Sequence, residues 1–173
     1  MEFLHDGAAL IEPYIRHYGL IALFVTICLE SFGAPLPGES ALVAAAFLAT
    51  RGNFSIGEVF LTAWLAAVAG DSTGYAIGRL GGRPLLQRYG AYVKLTPERL
   101  ARLEALFRRR GPIIVVVARF VVLLRQLNGL VAGSMAMPWP RFLLANLFGA
   151  ALWAGAWSFG PYFLGSLFRH GWH

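Results

Sequence analysis

Apolar residues form several long runs along this chain, and two of the runs are long enough to cross a bilayer as a helix. A transmembrane helix needs about 20 mostly apolar residues. Residues Phe142–Phe168 contain no ionisable group, and residues Ile56–Leu80 contain only Glu58 near their start and Asp71 deep inside, apart from the basic Arg79. The pattern therefore predicts spanning helices over residues 56–80 and 141–168.

Glycines recur every four residues along the first predicted span. Positions four residues apart lie on the same face of a helix, and a ridge of small residues on one face lets a second helix approach closely. We predict a helix-packing role for Gly70, Gly74 and Gly78.

A third apolar region is interrupted at its centre by residues that end helices. Leu20–Leu29 and Ala41–Thr50 would each be about 15 Å long as helices, half of a roughly 30 Å hydrocarbon core. Pro35, Pro37 and Gly38 lie between them, and proline does not continue a helix. We predict a re-entrant hairpin over residues 18–50, with one kinked span as the alternative.

A fourth apolar region is broken in the same way. Pro112–Leu124 is too short to span, and Asn128 and Gly129 supply the predicted break. We therefore predict a second re-entrant hairpin over residues 112–138. A broken hairpin followed by a full span thus occurs twice, as a weak internal repeat. With one spanning helix in each half the second half would insert inverted, and inverted repeats whose broken helices meet at the midplane are a transporter architecture.

Composition supports a single all-α integral membrane domain over residues 1–173, in which residues 1–17 form an N-terminal segment. The mean hydropathy is +0.59 and charged residues make up 14% of the chain, against roughly 25% in soluble domains. Soluble globular, disordered and disulfide-scaffold classes are therefore excluded. The single cysteine, Cys28, excludes an intrachain disulfide and a multi-thiolate metal site.

Positive charge is concentrated between the two halves, in residues 81–111 and at Arg79 just before them. Basic residues greatly outnumber acidic ones there, so the positive-inside rule places this segment in the cytoplasm. Residues 97–110 predict a basic amphipathic helix on the membrane surface, with Thr96 as its N-cap; a solvated basic loop is the alternative. The charge indicates topology and anionic headgroups rather than nucleic acid.

Five ionisable side chains lie in apolar surroundings, where each would cost about 2.5–3.5 kcal/mol if it were unpaired at the bilayer centre. The first half supplies three carboxylates and the second half two guanidiniums: Glu30, Glu39, Asp71, Arg119 and Arg125. If the hairpins meet, these groups face one another across one cavity. Two arginines can clamp a phosphate bidentately, and a carboxylate in a dry site can carry a proton. The pattern favours proton-coupled movement of an anion, and a static salt-bridge network is the alternative.

Three ordered motifs contain these charges. The motifs are Glu30 with Pro35-x-Pro37-Gly38-Glu39, then Gly70-Asp71-x-x-Gly74-Tyr75-x-x-Gly78-Arg79, then Arg119-Phe120 through Arg125 to Ala132-Gly133, followed by Met137-Pro138, Phe142, Asn146, Gly149 and Trp153. They resemble those of the DedA family of membrane proteins, also called the SNARE-associated or VTT-domain family, and the resemblance runs from about Tyr18 to Gly165.

The resemblance implies two opposed re-entrant hairpins in a multi-pass protein of the bacterial inner membrane. Bacterial members are implicated in returning undecaprenyl phosphate, a polyprenyl-phosphate carrier lipid, across that membrane, and related eukaryotic proteins scramble phospholipids. By similarity the five buried charges bind the substrate, and Glu39, Glu30 and Asp71 handle protons. No cofactor or metal is implied, and homo-oligomerisation is left open. Family members commonly have prolines where this chain has Val122 and Gly129.

Four other functions are alternatives to a lipid-phosphate transporter: a scramblase, a small-oxyanion transporter, an enzyme and a scaffold. A phospholipid scramblase or a proton-coupled small-oxyanion transporter would use the same arginine clamp, so both stay as alternatives. An enzyme acting on a lipid phosphate is disfavoured because no Ser–His pairing or phosphate-binding Gly-Lys-Ser/Thr motif is present and the histidines lie near the termini, at His5, His17, His170 and His173. A scaffold would leave the buried charges unexplained. We therefore expect a transporter and not an enzyme.

Overall fold

The computed structural model describes residues 18–31, 33–90 and 96–170, and this part of the chain is helical without a strand. The all-α prediction is confirmed for these residues, whereas the N-terminal segment 1–17 lies outside them. The helices are α1 Tyr18–Ser31, α2 Gly38–Thr50, α3 Ile56–Gly90, α4 Pro97–Ala118, α5 Val122–Ser134 and α6 Trp139–His170.

The two long apolar helices differ in how well they suit a membrane crossing. Within the described ranges α6 is the one helix that is both long and apolar enough to span, over Trp139–Ser166. α3 is longer, but it carries charges and has non-helical dihedrals at Gly82, with φ 55° and ψ −154°. Large apolar side chains are exposed on both helices, including Leu65 and Phe148. Such an apolar outer surface fits a lipid environment.

α1 and α2 form an antiparallel hairpin. At one end Gly19 of α1 lies beside Phe54, which follows α2, and a Cβ on Gly19 would be 2.8 Å from the ring. At the other end Gly38, the first residue of α2, lies against the carboxylate of Glu30, near the end of α1. Each arm is about 20 Å long at 1.5 Å per residue, so each is shorter than the roughly 30 Å hydrocarbon core.

The loop between these arms is short and has defined hydrogen bonds. Gly33 has a φ of 112°, and its N–H donates to the carbonyl of Glu30 at 3.1 Å. Since a residue with positive φ after a helix closes its last turn, Gly33 ends α1. Pro35 and Pro37 lie in the loop itself, and Gly38 begins α2.

α4 contains two helical segments that meet at Arg110, where φ is −134° and ψ is 24°. Its first segment, residues 97–110, is the predicted basic helix and begins at Pro97. A hydrogen bond from the Thr96 side chain lowers the pKa of Glu98 in its first turn. Its second segment, residues 111–118, is the first arm of the second hairpin.

The second hairpin is also antiparallel, and its break is not where we predicted it. A Cβ on Gly111 would lie 3.3 Å from Sδ of Met137 beyond the end of α5, which brings the open ends of the two arms together. The break between the arms lies at residues 119–121. The prediction of a break at Asn128 and Gly129 is wrong, because both residues lie inside α5.

Asn128 and Gly129 have packing roles that explain why the helix continues through them. The side-chain amide of Asn128 donates to the carbonyl of Val115 at 2.9 Å and thereby joins the two arms. A Cβ on Gly129 would collide with the carbonyl oxygen of Asp71 in α3. Glycine at this position therefore allows a close helix contact rather than a turn.

The second arm of each hairpin packs along the long helix of the other half: α2 along α6 and α5 along α3. The contact between α3 and α5 is close enough that a Cβ on Gly78 would collide with the carbonyl of Leu130. Gly70 lies instead against the backbone of Cys28 in α1, and Gly74 is buried. The glycines of α3 therefore serve two partner helices, and the hairpin tips are brought together in the interior.

Candidate functional site

The five charges selected from the sequence lie at the two hairpin tips and on the middle of α3. Glu30 and Glu39 lie near the end of α1 and in the first turn of α2. Arg119 lies in the break of the second hairpin, and Arg125 lies near the start of α5. The two tips are close, since a Cβ on Gly33 would be 3.9 Å from the carbonyl of Gln126. The structure arranges the five charges as two groups.

The first group, called here the Arg125 group, contains Arg125, Glu30 and Glu39. Arg125 Nη2 donates to Glu30 Oε1 at 2.9 Å, and Arg125 Nη1 lies 3.2 Å from Glu39 Oε1. One guanidinium thus binds both carboxylates of the opposite hairpin tip. The side chains of Arg125 and Glu30 are buried, whereas that of Glu39 is 31% exposed. Glu39 is therefore the carboxylate of this group that solvent can reach.

The N-terminus of α2 contributes to this group through its backbone. Gly38 is the first residue of α2, and a Cβ there would collide with Glu30 Oε2. Glycine thus leaves room for the carboxylate at the helix N-terminus, where the helix dipole stabilises negative charge. Gly38 was selected as a break residue, and here it also shapes the ion-pair site.

The second group, called the Arg119 group, contains Arg119, Asp71 and Asn146. Arg119 Nη2 donates to Asp71 Oδ2 and to Asn146 Oδ1. The side chains of Arg119 and Asp71 are 1% and 0% exposed, so this ion pair has no contact with solvent. Asn146 is fixed in turn by its amide, which donates to the carbonyl of Val68 at 3.4 Å.

One face of α6 contacts both groups. Asn146 binds Arg119, and a Cβ on Gly149 would lie 3.0 Å from Arg119 Cδ. Trp153 follows on the same face, and its ring centroid is 4.8 Å from the Arg125 guanidinium carbon, a cation–π contact. Sequence reasoning quoted these three residues only as parts of a motif and did not assign them to the site. Their spacing on one helical face, with an amide and a tryptophan in an otherwise apolar span, is the signal that could have found them.

Several buried polar side-chain atoms have no hydrogen-bond partner in the described part of the chain, and two of them belong to the Arg119 group. Leaving such an atom unpaired costs about 1–3 kcal/mol, so sites that contain several of them suit a polar ligand or ordered water. The atoms are Asp71 Oδ1, Arg119 Nε, Asn128 Oδ1, Trp153 Nε1 and Ser158 Oγ.

The arrangement can bind an anion if a carboxylate leaves one of the guanidiniums. Two arginines face three carboxylates, and the N–H groups of Arg125 that bind Glu30 and Glu39 would then be free to bind a ligand. Among the described residues no group of three or more His, Cys, Asp and Glu side chains could hold a metal ion. Guanidinium groups bind carboxylate and phosphate through paired N–H donors.

Comparison with known proteins agrees with this membrane architecture. The family whose sequence profile matches the chain is described as VTT domain, over residues 36–163. An uncharacterized membrane protein of Synechocystis sp. is 41% identical over 155 residues, covering 90% of this chain and 71% of that protein. An uncharacterized membrane protein of Mycobacterium tuberculosis is 42% identical over 171 residues, covering 95% and 78%. A Lactococcus lactis protein named alkaline phosphatase-like is 28% identical over 149 residues, covering 83% and 70%. No solved structure matches this chain.

Proposed function

Since the chain belongs to the VTT-domain family of membrane proteins, also known as the DedA family, we propose that it is a transporter that moves a lipid phosphate across the bacterial inner membrane together with protons. The observation that carries the proposal is the meeting of two buried guanidiniums with three carboxylates, at the tips of two hairpins and on the middle of α3. The positive charge of the two arginines favours an anionic substrate. Undecaprenyl phosphate is the specific lipid that the family resemblance suggests.

The proposed topology makes both hairpins re-entrant. Their arms are at most about 20 Å long, so each tip lies inside a hydrocarbon core of roughly 30 Å. With residues 81–111 in the cytoplasm, the second hairpin enters from the cytoplasm and the first from the periplasm. The packing of α2 on α6 and of α5 on α3 supports such an inverted repeat, in which broken helices meet around a central substrate site.

The proposed transport step replaces carboxylates on Arg125 by phosphate. Protonation of Glu30 and Glu39 removes their attraction for Arg125, and the partly exposed side chain of Glu39 connects the site to solvent. A phosphate monoester carries a charge of about −1.5 to −2 at pH 7, close to that of Glu30 and Glu39 together. Protonation of both carboxylates therefore keeps the charge of the site nearly constant when phosphate binds, and this couples lipid movement to protons.

The proposal is tested by measuring movement of undecaprenyl phosphate between the leaflets of proteoliposomes under a pH gradient. The test variant is the double substitution Glu30→Gln with Arg125→Gln, which removes the clamp without leaving Glu30 buried opposite an uncharged residue. The matched control is Arg51→Gln, an exposed arginine in the turn after α2. We expect movement by the wild type and the control, and loss of it in the double variant.

Retention of the wild-type rate by a folded double variant would contradict the proposal. The alternative substrates are separated in the same liposomes, by following phosphatidylglycerol between leaflets and trapped inorganic phosphate across the bilayer. Release of inorganic phosphate from the lipid would instead indicate an enzyme. The Lactococcus lactis relative is named alkaline phosphatase-like, and that name concerns the relative alone.

A further inference from the structure

A groove on the outside of the helical bundle lies between the second segment of α4 and the first half of α6. Its volume is about 520 Å³, which falls in the range of roughly 300–1,000 Å³ that is common for ligand pockets. Its rims are formed by Ile113 and Val117 of α4 and by Leu144 and Phe148 of α6. All four side chains are more than half exposed.

One charged side chain, Arg141, lines this otherwise apolar groove. Arg141 is exposed, and none of the carboxylates in the described part of the chain forms an ion pair with it. Residues 141, 144 and 148 follow one face of α6, so the arginine lies at one end of the apolar strip. An amphipathic ligand with an anionic head and a hydrocarbon chain matches this order of charge and apolar surface.

The charged end of the groove adjoins the basic segment. Met137, which precedes α6, packs against Gly111 at the bend of α4, and the exposed Arg109 and Arg110 lie just before that bend. Basic residues attract anionic headgroups at a membrane surface. The end of the groove at Arg141 therefore lies where phosphate headgroups are expected.

The other end of the groove lies close to the Arg119 group. Beyond Phe148 the two helices meet at Gly149, where a Cβ would be 3.2 Å from Val116 Cα and 3.0 Å from Arg119 Cδ. Arg141 and Gly149 are about 12 Å apart along the helix at 1.5 Å per residue. The contact at Gly149 thus closes the space between the two helices next to the groove, and it also touches the Arg119 side chain.

We infer that this groove binds a membrane lipid with a phosphate headgroup and holds it beside the buried Arg119 group. Arg141 binds the phosphate, and the hydrocarbon chain lies along Ile113, Val117, Leu144 and Phe148. This inference deepens the proposed transport function and rests on it for the identity of the lipid as substrate. With residues 81–111 in the cytoplasm, the groove opens to the cytoplasmic leaflet.

The test uses photolabelling in phosphatidylcholine liposomes with phosphatidic acid that carries a diazirine in one acyl chain. Phosphatidylcholine with the same diazirine is the lipid control, and labelled peptides are identified by mass spectrometry. We expect phosphatidic acid to label residues 111–118 and 142–149 more strongly than phosphatidylcholine does. Arg141→Gln should lower that labelling roughly fivefold, the effect of one basic side chain at an anionic headgroup, while Arg51→Gln should leave it unchanged.

A second variant tests the apolar part of the groove. Leu144→Trp places a large ring in the strip, and we expect it to lower labelling by both lipids. Equal labelling by both lipids in the wild type, or unchanged labelling in Arg141→Gln, would overturn the inference.

Undecaprenyl phosphate movement is measured in parallel on the same samples. Labelling without transport would retain the groove and reject the transport function, whereas transport by the wild type and by Arg141→Gln without labelling would reject the groove alone.

Discussion

Arg119 and Arg125 both lie near the tip of the second hairpin, and the protein holds them in different ways. Arg119 binds one carboxylate and one amide, and both charged side chains of its ion pair are excluded from solvent. Arg125 binds two carboxylates from the other half of the chain, and one of these, Glu39, is partly exposed. The Arg119 group is closed, whereas the Arg125 group is open on one side.

We expect the Arg119 group to stabilise the fold and the Arg125 group to bind and release ligands. A buried ion pair that loses one partner leaves an uncompensated charge in a medium of low dielectric, so the Arg119 group should hold α3, α6 and the second hairpin together. The ion pair of Arg125 with the partly exposed Glu39 should contribute less to stability, and the proposed function makes Glu39 a carboxylate that leaves Arg125. We expect substitutions in the two groups to affect different measurements.

The largest effect is expected for Asp71→Ala, which leaves Arg119 buried with only Asn146 as a partner. The free energy of unfolding should fall by about 3–5 kcal/mol. Thermal unfolding in detergent micelles measures this. The double variant Asp71→Leu with Arg119→Met removes both charges and should recover most of the loss, and a wild-type melting curve for Asp71→Ala would show that the Arg119 group does not hold the fold.

A smaller but clear loss is expected for Gly129→Ala. Its Cβ would collide with the carbonyl of Asp71, so α5, which carries Arg125, must move away from α3. Overpacking of this kind costs about 1–3 kcal/mol and should also weaken transport. Gly160→Ala on α6 is the control, because nothing lies within 4 Å of the added Cβ. Equal melting temperatures for the two variants would mean that the contact between α3 and α5 tolerates a methyl group.

Trp153→Phe tests the contribution of one aromatic contact to the Arg125 group. The smaller ring weakens the cation–π contact with Arg125, which is worth about 0.5–2 kcal/mol, so the affinity for the lipid phosphate should fall while the Arg119 group stays intact. The readout is the lipid concentration at half-maximal transport. Trp157→Phe, at an exposed position of the same helix, serves as the comparison, and an equal shift in both variants would argue against a specific role of Trp153.

The smallest effect on stability is expected for Glu39→Gln, at less than about 1 kcal/mol, because the Glu39 side chain is partly exposed. Glutamine cannot exchange a proton, so the dependence of transport on the pH gradient should weaken strongly. Glu58→Gln, at an exposed position in the first turn of α3, is the matched control. An unchanged response to the gradient would assign proton coupling to another group.

The sequence was sufficient to select the charged residues, because the cost of an unpaired charge in a membrane depends only on its local apolar surroundings. It was not sufficient to pair them. Asp71 and Arg119 are 48 positions apart, and Glu30 and Arg125 are 95 positions apart. The packing of α5 on α3 and of α2 on α6 decides which acid meets which arginine, and no local pattern encodes that packing.

Glycine caused the error in the position of the second hairpin's break. Gly129 was interpreted as a break because glycine lowers helix stability, but here it allows close contact between two helices. The true break at residues 119–121 has no proline or glycine, so tertiary packing imposes it. Asn146 and Trp153 were missed for a related reason, since one amide and one indole in an apolar helix look like ordinary core residues until the arginines are placed beside them.

Because α2 packs on α6 and α5 packs on α3, each half of the chain needs a helix of the other half during biosynthesis. When the ribosome has completed α3, Arg119, the ion-pair partner of Asp71, has not yet been synthesised. The face of α3 that contains Gly78 and packs against α5 has no helix against it either. Both partners are supplied only by later residues, and α2 in turn waits for α6. Neither half can therefore complete its packing alone, and the chain reaches its stable form only after its last described helix has entered the membrane.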